Sequence, residues 1–275
     1  MNKLYKALIY DRQISLSVLE TTELVNDAIK THNLDARSAV TLGGMLTCAA
    51  YMAGCLKNDR GAVSLTVKAD GDAGTVSVSG DKNLHIRGYI DGTCGGKLNG
   101  GYLTVIKDDG FYRPFVGTCE LRGDDVSHNL MQYFQMSEQI DTAVAFGVKM
   151  DGDRCIAAGG VVMQLLPGTT EENMDRAEER MQAFVNAADV VEKYGADGIL
   201  AEFFDGLVKD GEVYLTFPEY KCNCSRKKIE SIVLPVGKEE LYNIIEEQGS
   251  VKVHCHYCNT DYEFTRGDID ELFKL

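Results

Sequence analysis

Four cysteines near the end of the chain form two closely spaced pairs, Cys222-Asn-Cys224 and Cys255-His-Tyr-Cys258. Two such pairs, separated here by residues 225–254, are how a chain presents four thiolates to one tetrahedral Zn²⁺ ion. The same spacing also permits each pair to close on itself as a disulfide once the metal leaves. The pattern is therefore compatible with a structural zinc clip and with a redox switch.

The residues around the two pairs leave some choices open. His254 and His256 bracket Cys255 and could act as ligands, but we favour the four cysteines because adjacent residues on a strand point to opposite faces. A Zn²⁺ ion with four thiolates has a formal charge of −2, which nearby cations could offset. These cations could equally belong to a solvated turn. They are Lys221, Arg226, Lys227, Lys228 and Lys252.

The cysteine pairs lie in a small third part of the chain, residues 216–275, with a predicted helix at 239–247 and a predicted strand at 250–254. A segment of this size is near the lower limit for a self-sufficient core. A four-cysteine zinc site supplies an apparent binding energy of about 10–16 kcal/mol that is also folding energy. We therefore expect this part to unfold when its metal is removed.

Residues 1–168 are predicted to form an α+β core domain rich in strands. Residues 63–68 and 75–79 alternate apolar and polar side chains on either side of a turn rich in Gly and Asp, which predicts a hairpin. Apolar residues at helical spacing predict a helix over 35–57. The order of helices and strands differs from the regular alternation of a parallel α/β fold.

Residues 169–215 are predicted to be a helical linker. Thr169-Thr-Glu-Glu172 has the pattern of a capping box, and apolar residues recur every three or four positions from 174 to 191. This predicts one amphipathic helix of about six turns, ended by Gly195. A second short helix is predicted after it, with an apolar stripe formed by Ile199, Leu200, Phe203, Phe204 and Leu207. Residues 171–212 include 12 acidic and 4 basic side chains, a net −8 of the chain's −14. Such a helix is marginal without a surface to lie on, and its composition alone is more typical of a solvated linker.

The composition argues against several classes of function. A net charge of −14 disfavours phosphate backbones and anionic lipid surfaces as partners. The first residues lack the apolar stretch of a signal peptide, and no apolar run is long enough to span a bilayer. The five other cysteines, at positions 48, 55, 94, 119 and 155, are scattered singly, unlike a secreted disulfide framework. We expect a cytoplasmic protein that binds neither nucleic acid nor membranes.

The cysteine-rich stretches 215–228 and 251–270 resemble the zinc domain of the heat-shock protein 33 family of redox-regulated holdase chaperones. Residues 102–108, 133–140 and 157–168 resemble that family's core-domain signatures, so the similarity covers essentially the whole chain. One departure is His256-Tyr257 inside the second pair, where the family more commonly has an acidic and an aromatic residue.

The resemblance implies a mechanism and a set of partners. Cys222, Cys224, Cys255 and Cys258 would hold one Zn²⁺ ion in the reduced protein. Oxidation would form the disulfides Cys222–Cys224 and Cys255–Cys258, release the metal, unfold the third part and free the linker. The exposed apolar surface would then bind unfolding client proteins without ATP. The resemblance further implies a homodimer when active and a protein that is not an enzyme.

Two other functions fit the cysteine pattern. A zinc-ribbon interaction module would keep an inert structural zinc, but the acidic charge and the lack of a basic, aromatic stripe disfavour nucleic acid. A thiol–disulfide oxidoreductase normally places its C-x-x-C at the start of a helix in a thioredoxin-like fold. Here the C-x-x-C motif follows a predicted strand, in a segment as small as a typical zinc-binding domain.

Overall fold

The strand-forming stretches of the first part pair into two sheets within the unit Met1–Tyr220. The computed structural model describes residues 1–70, 74–91, 98, 100–123, 125–208 and 212–274. A second unit comprises Lys221–Leu275. The mixture of sheets and helices confirms the predicted α+β fold.

The first sheet has five strands, in the order β10-β1-β2-β9-β8, and all its neighbours are antiparallel. Its strand β10 was not anticipated, because it is only three residues long and pairs with β1 from more than 200 positions away. The strands are β1 (Lys3–Ile9), β2 (Ile14–Glu20), β8 (Thr142–Asp151), β9 (Arg154–Leu165) and β10 (Tyr214–Thr216).

The second sheet has six strands, in the order β11-β5-β4-β3-β6-β7. The predicted hairpin is confirmed, since β3 and β4 pair antiparallel, although residues 71–73 of its turn lie outside the described residues. Strand β11 pairs parallel with β5. The strands are β3 (Ala62–Ala69), β4 (Thr75–Asp81), β5 (His85–Asp91), β6 (Gly101–Asp108), β7 (Phe115–Glu120) and β11 (Glu219–Tyr220).

Three helices accompany these sheets: α1 (Thr22–His32), α2 (Ala36–Gly54) and α3 (Val126–Tyr133). The helix expected over 35–57 is α2, which begins where Asp35 accepts a hydrogen bond from the Ser38 amide. Helix α2 is buried along nearly its whole length because it contacts strands of both sheets. Helix α3 continues into a π-helical turn over Phe134–Glu138.

The linker is helical but not continuous, so the prediction of one six-turn helix is wrong. Helix α4 (Glu171–Met181) passes into a 3₁₀ turn, and α5 (Ala187–Phe203) follows after Asn186 leaves the helical conformation. The break turns Phe184 inward, where it is 1% exposed. Gly195 leaves the helical conformation, with φ 59° and ψ 179°, so α5 consists of two helices that meet at a kink. This confirms that a helix ends at Gly195 and that a second short helix follows it. The expected capping box is also displaced, because Thr170 caps α4 by accepting from the Asn173 amide.

The linker helices have a surface to lie on. Their inward side chains share one buried cluster with the outer face of the five-stranded sheet. From the sheet the cluster takes Ile9, Ile14, Leu16, Val18, Ala157, Val161 and Met163; from the linker it takes Ala177, Phe184, Val191, Ala196, Ile199 and Phe204. The acidic polar face is left toward solvent, which is the arrangement that a marginal amphipathic helix requires.

The unit Lys221–Leu275 contains three helices and a β-hairpin. The predicted helix and strand are confirmed as α7 (Lys238–Gln248) and β12 (Val251–Cys255), while α6 (Arg226–Val233), β13 (Thr260–Phe264) and α8 (Arg266–Leu272) were not anticipated. The buried core of this unit is small: Ile229, Val233, Leu241, Val251, Phe264 and Ile269. In the part of the chain that the structure describes, no helix combines the length and the hydropathy needed to cross a membrane.

Candidate metal centre

Two local structures bring the cysteine pairs together. Cys255 is the last residue of β12, and Cys258 lies in the turn before β13. The turn is fixed by Asn259, which has a left-handed φ of 54° and donates its amide to the Cys255 carbonyl at 2.8 Å. Cys222 and Cys224 lie in the segment without regular secondary structure that leads into α6.

The four sulfur atoms all lie within 4.8 Å of one another, and their side chains are half-buried. The Cys222 and Cys255 Sγ atoms are 3.8 Å apart, and those of Cys224 and Cys258 are 3.2 Å apart. Four thiolates at about 2.3 Å from a tetrahedral Zn²⁺ ion would be separated by about 3.8 Å. The residues therefore fit a four-thiolate metal ion with only small adjustments.

Two hydroxyl groups surround the sulfur atoms. The Tyr262 hydroxyl lies 3.1 Å from Cys224 Sγ, and Thr260 Oγ1 lies 3.3 Å from Cys258 Sγ. Such outer contacts orient metal ligands and tune their basicity. Sequence reasoning missed Tyr262. Its role depends on β13 pairing with β12 so that Tyr262 stands opposite Val253, a register that the spacing of the cysteines does not give.

The environment shifts the pKa values of three of these thiols in different directions when no metal is bound. Burial raises the pKa of Cys222 and of Cys258. Burial also opposes ionisation of Cys224, but hydrogen bonds from Tyr262 and the neighbouring thiols outweigh it and lower the pKa of Cys224 to about 7. Cys224 therefore becomes a thiolate more readily than Cys222 or Cys258, and the thiolate is the form that oxidants attack.

The basic cluster is not a simple solvated turn, because Arg226, Lys227 and Lys228 form the first turn of α6. Arg226 donates to the Glu263 carbonyl at 3.0 Å and pairs with Asp268 at 2.6 Å, and its guanidinium lies over the Phe264 ring. This cation thus connects α6 to the hairpin and to α8. The Lys228 ammonium contacts the cysteine segment itself, at Asn223 Oδ1, 3.1 Å away.

The two histidines of the second pair have other contacts. His254 Nδ1 lies 2.7 Å from Asp261 Oδ1, and the His254 and His256 rings meet edge to face with centroids 5.1 Å apart. Among the residues that the structure describes, the ligand atoms gathered closely enough for one ion are the four cysteine sulfurs. Of the single cysteines, Cys48, Cys119 and Cys155 are buried and Cys55 is exposed, while Cys94 lies outside the described residues.

Comparison with known proteins places this geometry in a family. The family model described as "Hsp33 protein" matches residues 2–265. The chain belongs to the Hsp33 family. Among curated Hsp33 relatives, the 33 kDa chaperonin of Clostridium perfringens is 36% identical over 99% of this chain and 92% of its own length. That of Bacillus cereus is 33% identical over 98% of both chains.

A solved structure agrees over the same extent. The crystal structure of the 33 kDa chaperonin, a heat shock protein 33 homolog, from Thermotoga maritima has a TM-score of 0.83 and 26% identity. The match covers 99% of this chain and 98% of that one. Membership of the Hsp33 family supports a chaperone function for the chain, and the cysteine cluster is consistent with redox regulation.

Proposed function

We propose that this protein is an ATP-independent holdase chaperone that is switched on by oxidation of a four-cysteine zinc site. The carrying observation is that Cys222, Cys224, Cys255 and Cys258 converge in a unit whose buried core is only a few side chains. Bound Zn²⁺ would supply folding energy on the order of 10 kcal/mol to this unit. We assign three functional regions: a core at 1–168, a linker at 169–215 and the zinc-binding switch at 216–275. Residues 216–220 of the last region pair with the sheets of the first unit, so the part that would unfold is Lys221–Leu275.

The switch consists of two thiol oxidations. In each, two thiolates lose two electrons and join as a disulfide, while hydrogen peroxide accepts the electrons and two protons and leaves as two waters. We assign the disulfides to Cys222–Cys224 and Cys255–Cys258, whose members are neighbours in sequence. Disulfide sulfurs are no longer thiolate ligands, so the metal is lost and the small unit unfolds.

The working surface belongs to the first unit. The outer face of the five-stranded sheet carries apolar residues that α4 and α5 now cover. When the linker leaves, this face and the linker's apolar stripe become available to unfolding client proteins. We infer that the active form is a homodimer, that it acts in the cytoplasm and that it catalyses no reaction.

The position of the second pair weighs against an oxidoreductase. Cys255 and Cys258 flank a hairpin turn and not the start of a helix. A thioredoxin-like motif relies on a helix N-terminus to activate its first cysteine. This feature is missing at the described pair, so a chaperone switch fits the site better.

The proposed function is tested by treating the reduced, zinc-loaded protein with peroxide and measuring zinc release and the aggregation of a heat-denatured client together. We expect zinc to leave and aggregation to be suppressed. Zinc release without suppression would refute the holdase function. Catalytic turnover of a disulfide substrate by the zinc-bound form would instead favour an oxidoreductase.

The ligand assignment is tested by single replacements. Cys222→Ser, Cys224→Ser, Cys255→Ser and Cys258→Ser should each lower zinc occupancy, because a hydroxyl is a much poorer zinc ligand than a thiolate. Cys55→Ser is the matched control, since Cys55 is exposed and lies outside the cluster. Full occupancy in Cys222→Ser would contradict the four-ligand assignment.

A further inference from the structure

The bend in α5 creates a helix start in the middle of the linker. Gly195 has φ 59° and ψ 179°, a conformation that residues with a side chain very rarely adopt. The residues after it resume a helix, so their first backbone N–H groups have no partner within that helix. A helix start next to an apolar surface needs acceptors from elsewhere.

The core supplies an acceptor for this helix start. Glu20, the last residue of β2, accepts a hydrogen bond from the Ala196 amide through Oε2 at 2.9 Å. A negative charge at this end of a helix is also favoured by the helix dipole. Glu20 therefore caps a linker helix across a separation of 176 residues.

Gly195 and Glu20 fit each other closely. A Cβ atom at position 195 would lie 3.2 Å from Glu20 Oε2, which is tighter than ordinary contact. Asp197, two residues after Gly195, is bound by the Lys3 ammonium and by the Tyr5 hydroxyl, both from β1. The bend is thus held by three side chains of two adjacent core strands.

The polar contacts at the Gly195 bend are accompanied by buried apolar contacts from the same linker helix. Ala196 and Ile199 are fully buried in the cluster that joins the linker to the five-stranded sheet. Upstream of the bend, Lys149 of β8 pairs with Asp189 and Glu192 at 2.7 Å each. These latter pairs are exposed and contribute little, whereas the Glu20 cap fixes the backbone at the bend itself.

We propose that Glu20 is a positioning residue that sets how readily the linker leaves the core. This inference rests on the proposed function, in which departure of the linker exposes the client-binding surface. Because Glu20 belongs to the core, the cap must be broken for the linker to leave even after the zinc site is oxidised. Glu20 therefore determines how easily the linker leaves the core, independently of how easily the cysteines are oxidised.

The test is amide hydrogen exchange in the full-length, reduced, zinc-loaded protein. Glu20→Ala removes the acceptor, and we expect exchange of amides 187–208 to accelerate at least tenfold, with zinc content unchanged. Glu20→Gln keeps an acceptor oxygen, and we expect a clearly smaller acceleration. Glu23→Ala is the matched control, because it removes the same charge from an exposed position on α1.

Exchange within twofold of the unmodified protein in Glu20→Ala, or an equal acceleration in Glu23→Ala, would overturn the inference. If Glu20→Ala does not fold, Gly195→Ala addresses the same contact from the linker side, and the same local acceleration is expected. Unchanged exchange in Gly195→Ala would then be the contrary result.

The same variants separate this inference from the proposed function. We expect oxidised Glu20→Ala to suppress client aggregation at a lower temperature than the oxidised unmodified protein. If linker exchange accelerates as expected but even the oxidised unmodified protein fails to suppress aggregation, the holdase function is wrong while the positioning role of Glu20 stands.

Discussion

The contact between Tyr262 and Cys224 shows how a single hydroxyl would tune the proposed metal centre. Tyr262 is not a ligand, yet its hydroxyl lies 3.1 Å from the Cys224 sulfur and favours the thiolate form. The same contact raises the pKa of Tyr262 to about 12, because the phenol keeps its proton to donate. The Cys224 thiol and its hydrogen-bond donor Tyr262 therefore titrate as a coupled pair.

Replacing Tyr262 with Phe should weaken the metal site without removing a ligand. We expect Tyr262→Phe to lower zinc affinity about 10-fold to 100-fold, the usual effect of losing an outer-shell contact. Competition with a chromophoric chelator would measure this. Tyr112→Phe is the control, since Tyr112 is 82% exposed in the other unit, and an equal change in both variants would contradict the role of Tyr262.

Acidification should release the metal, because protons compete with it for the sulfur atoms. Burial raises the pKa of Cys222 and of Cys258 in the metal-free unit, so both sulfurs take up protons as the metal leaves. Apparent zinc affinity should therefore fall as the pH is lowered from 8 to 6, by more than one proton per metal. Chelator competition at several pH values would show it, and affinity that rises with acid would contradict a thiolate site.

At the scale of elements, the aromatic residue at the linker break holds α4 and α5 to the sheet. Phe184 is 1% exposed and stacks on Phe204, with ring centroids 6.0 Å apart. Its neighbour Val185 is 81% exposed. Adjacent positions of the same turn thus have opposite surroundings, which provides a matched pair for mutation.

Phe184→Ala should release the linker while the zinc site stays intact. Removing a buried Phe typically costs about 3–5 kcal/mol, which exceeds what a marginal helical segment can lose. Limited proteolysis of the reduced protein should cut residues 182–208 much faster than in the unmodified protein. Val185→Ala should behave like the unmodified protein, and equal cleavage of both variants would show that Phe184 does not anchor the linker.

Arg226 is expected to stabilise the small unit through the three elements that it joins. Its ion pair with Asp268 is partly exposed, so we expect Arg226→Ala to cost only about 1–2 kcal/mol, including the contact with Phe264. The midpoint temperature of zinc release should fall accordingly. Lys227→Ala, next to it on α6, should leave the midpoint unchanged; a similar drop in both would assign the effect to charge alone.

The helices and strands that could be predicted from the sequence are those with a clear periodic pattern of apolar residues. The alternating residues of β3 and β4 and the apolar run of α2 have local signals, and the structure confirms both. The linker break had no such signal, since apolar spacing continues through Asn186. Strand β10 and the position of Tyr262 depend on partners far along the chain or on register, which single-sequence patterns do not contain.

For the whole molecule, the cysteine spacing predicted that the four sulfurs would converge. The contacts between the linker and the core could be identified only from the structure.

Removal of the metal by chelation tests whether the two units unfold independently. We expect a chelator to abolish the melting transition of the unit Lys221–Leu275 and to leave a separate transition for Met1–Tyr220, because the two have distinct buried cores. Loss of both transitions on chelation would show that the first unit also needs the metal.

Strand β10 has a consequence for what happens after the linker leaves. The linker departs from β9 and returns to β10, and both strands belong to the five-stranded sheet. A segment tethered at both ends stays at a high effective concentration near the surface that it uncovered. In the proposed switch, the linker is therefore an intramolecular competitor of any client, and once the small unit refolds, the linker would displace the client without having to diffuse back to the core.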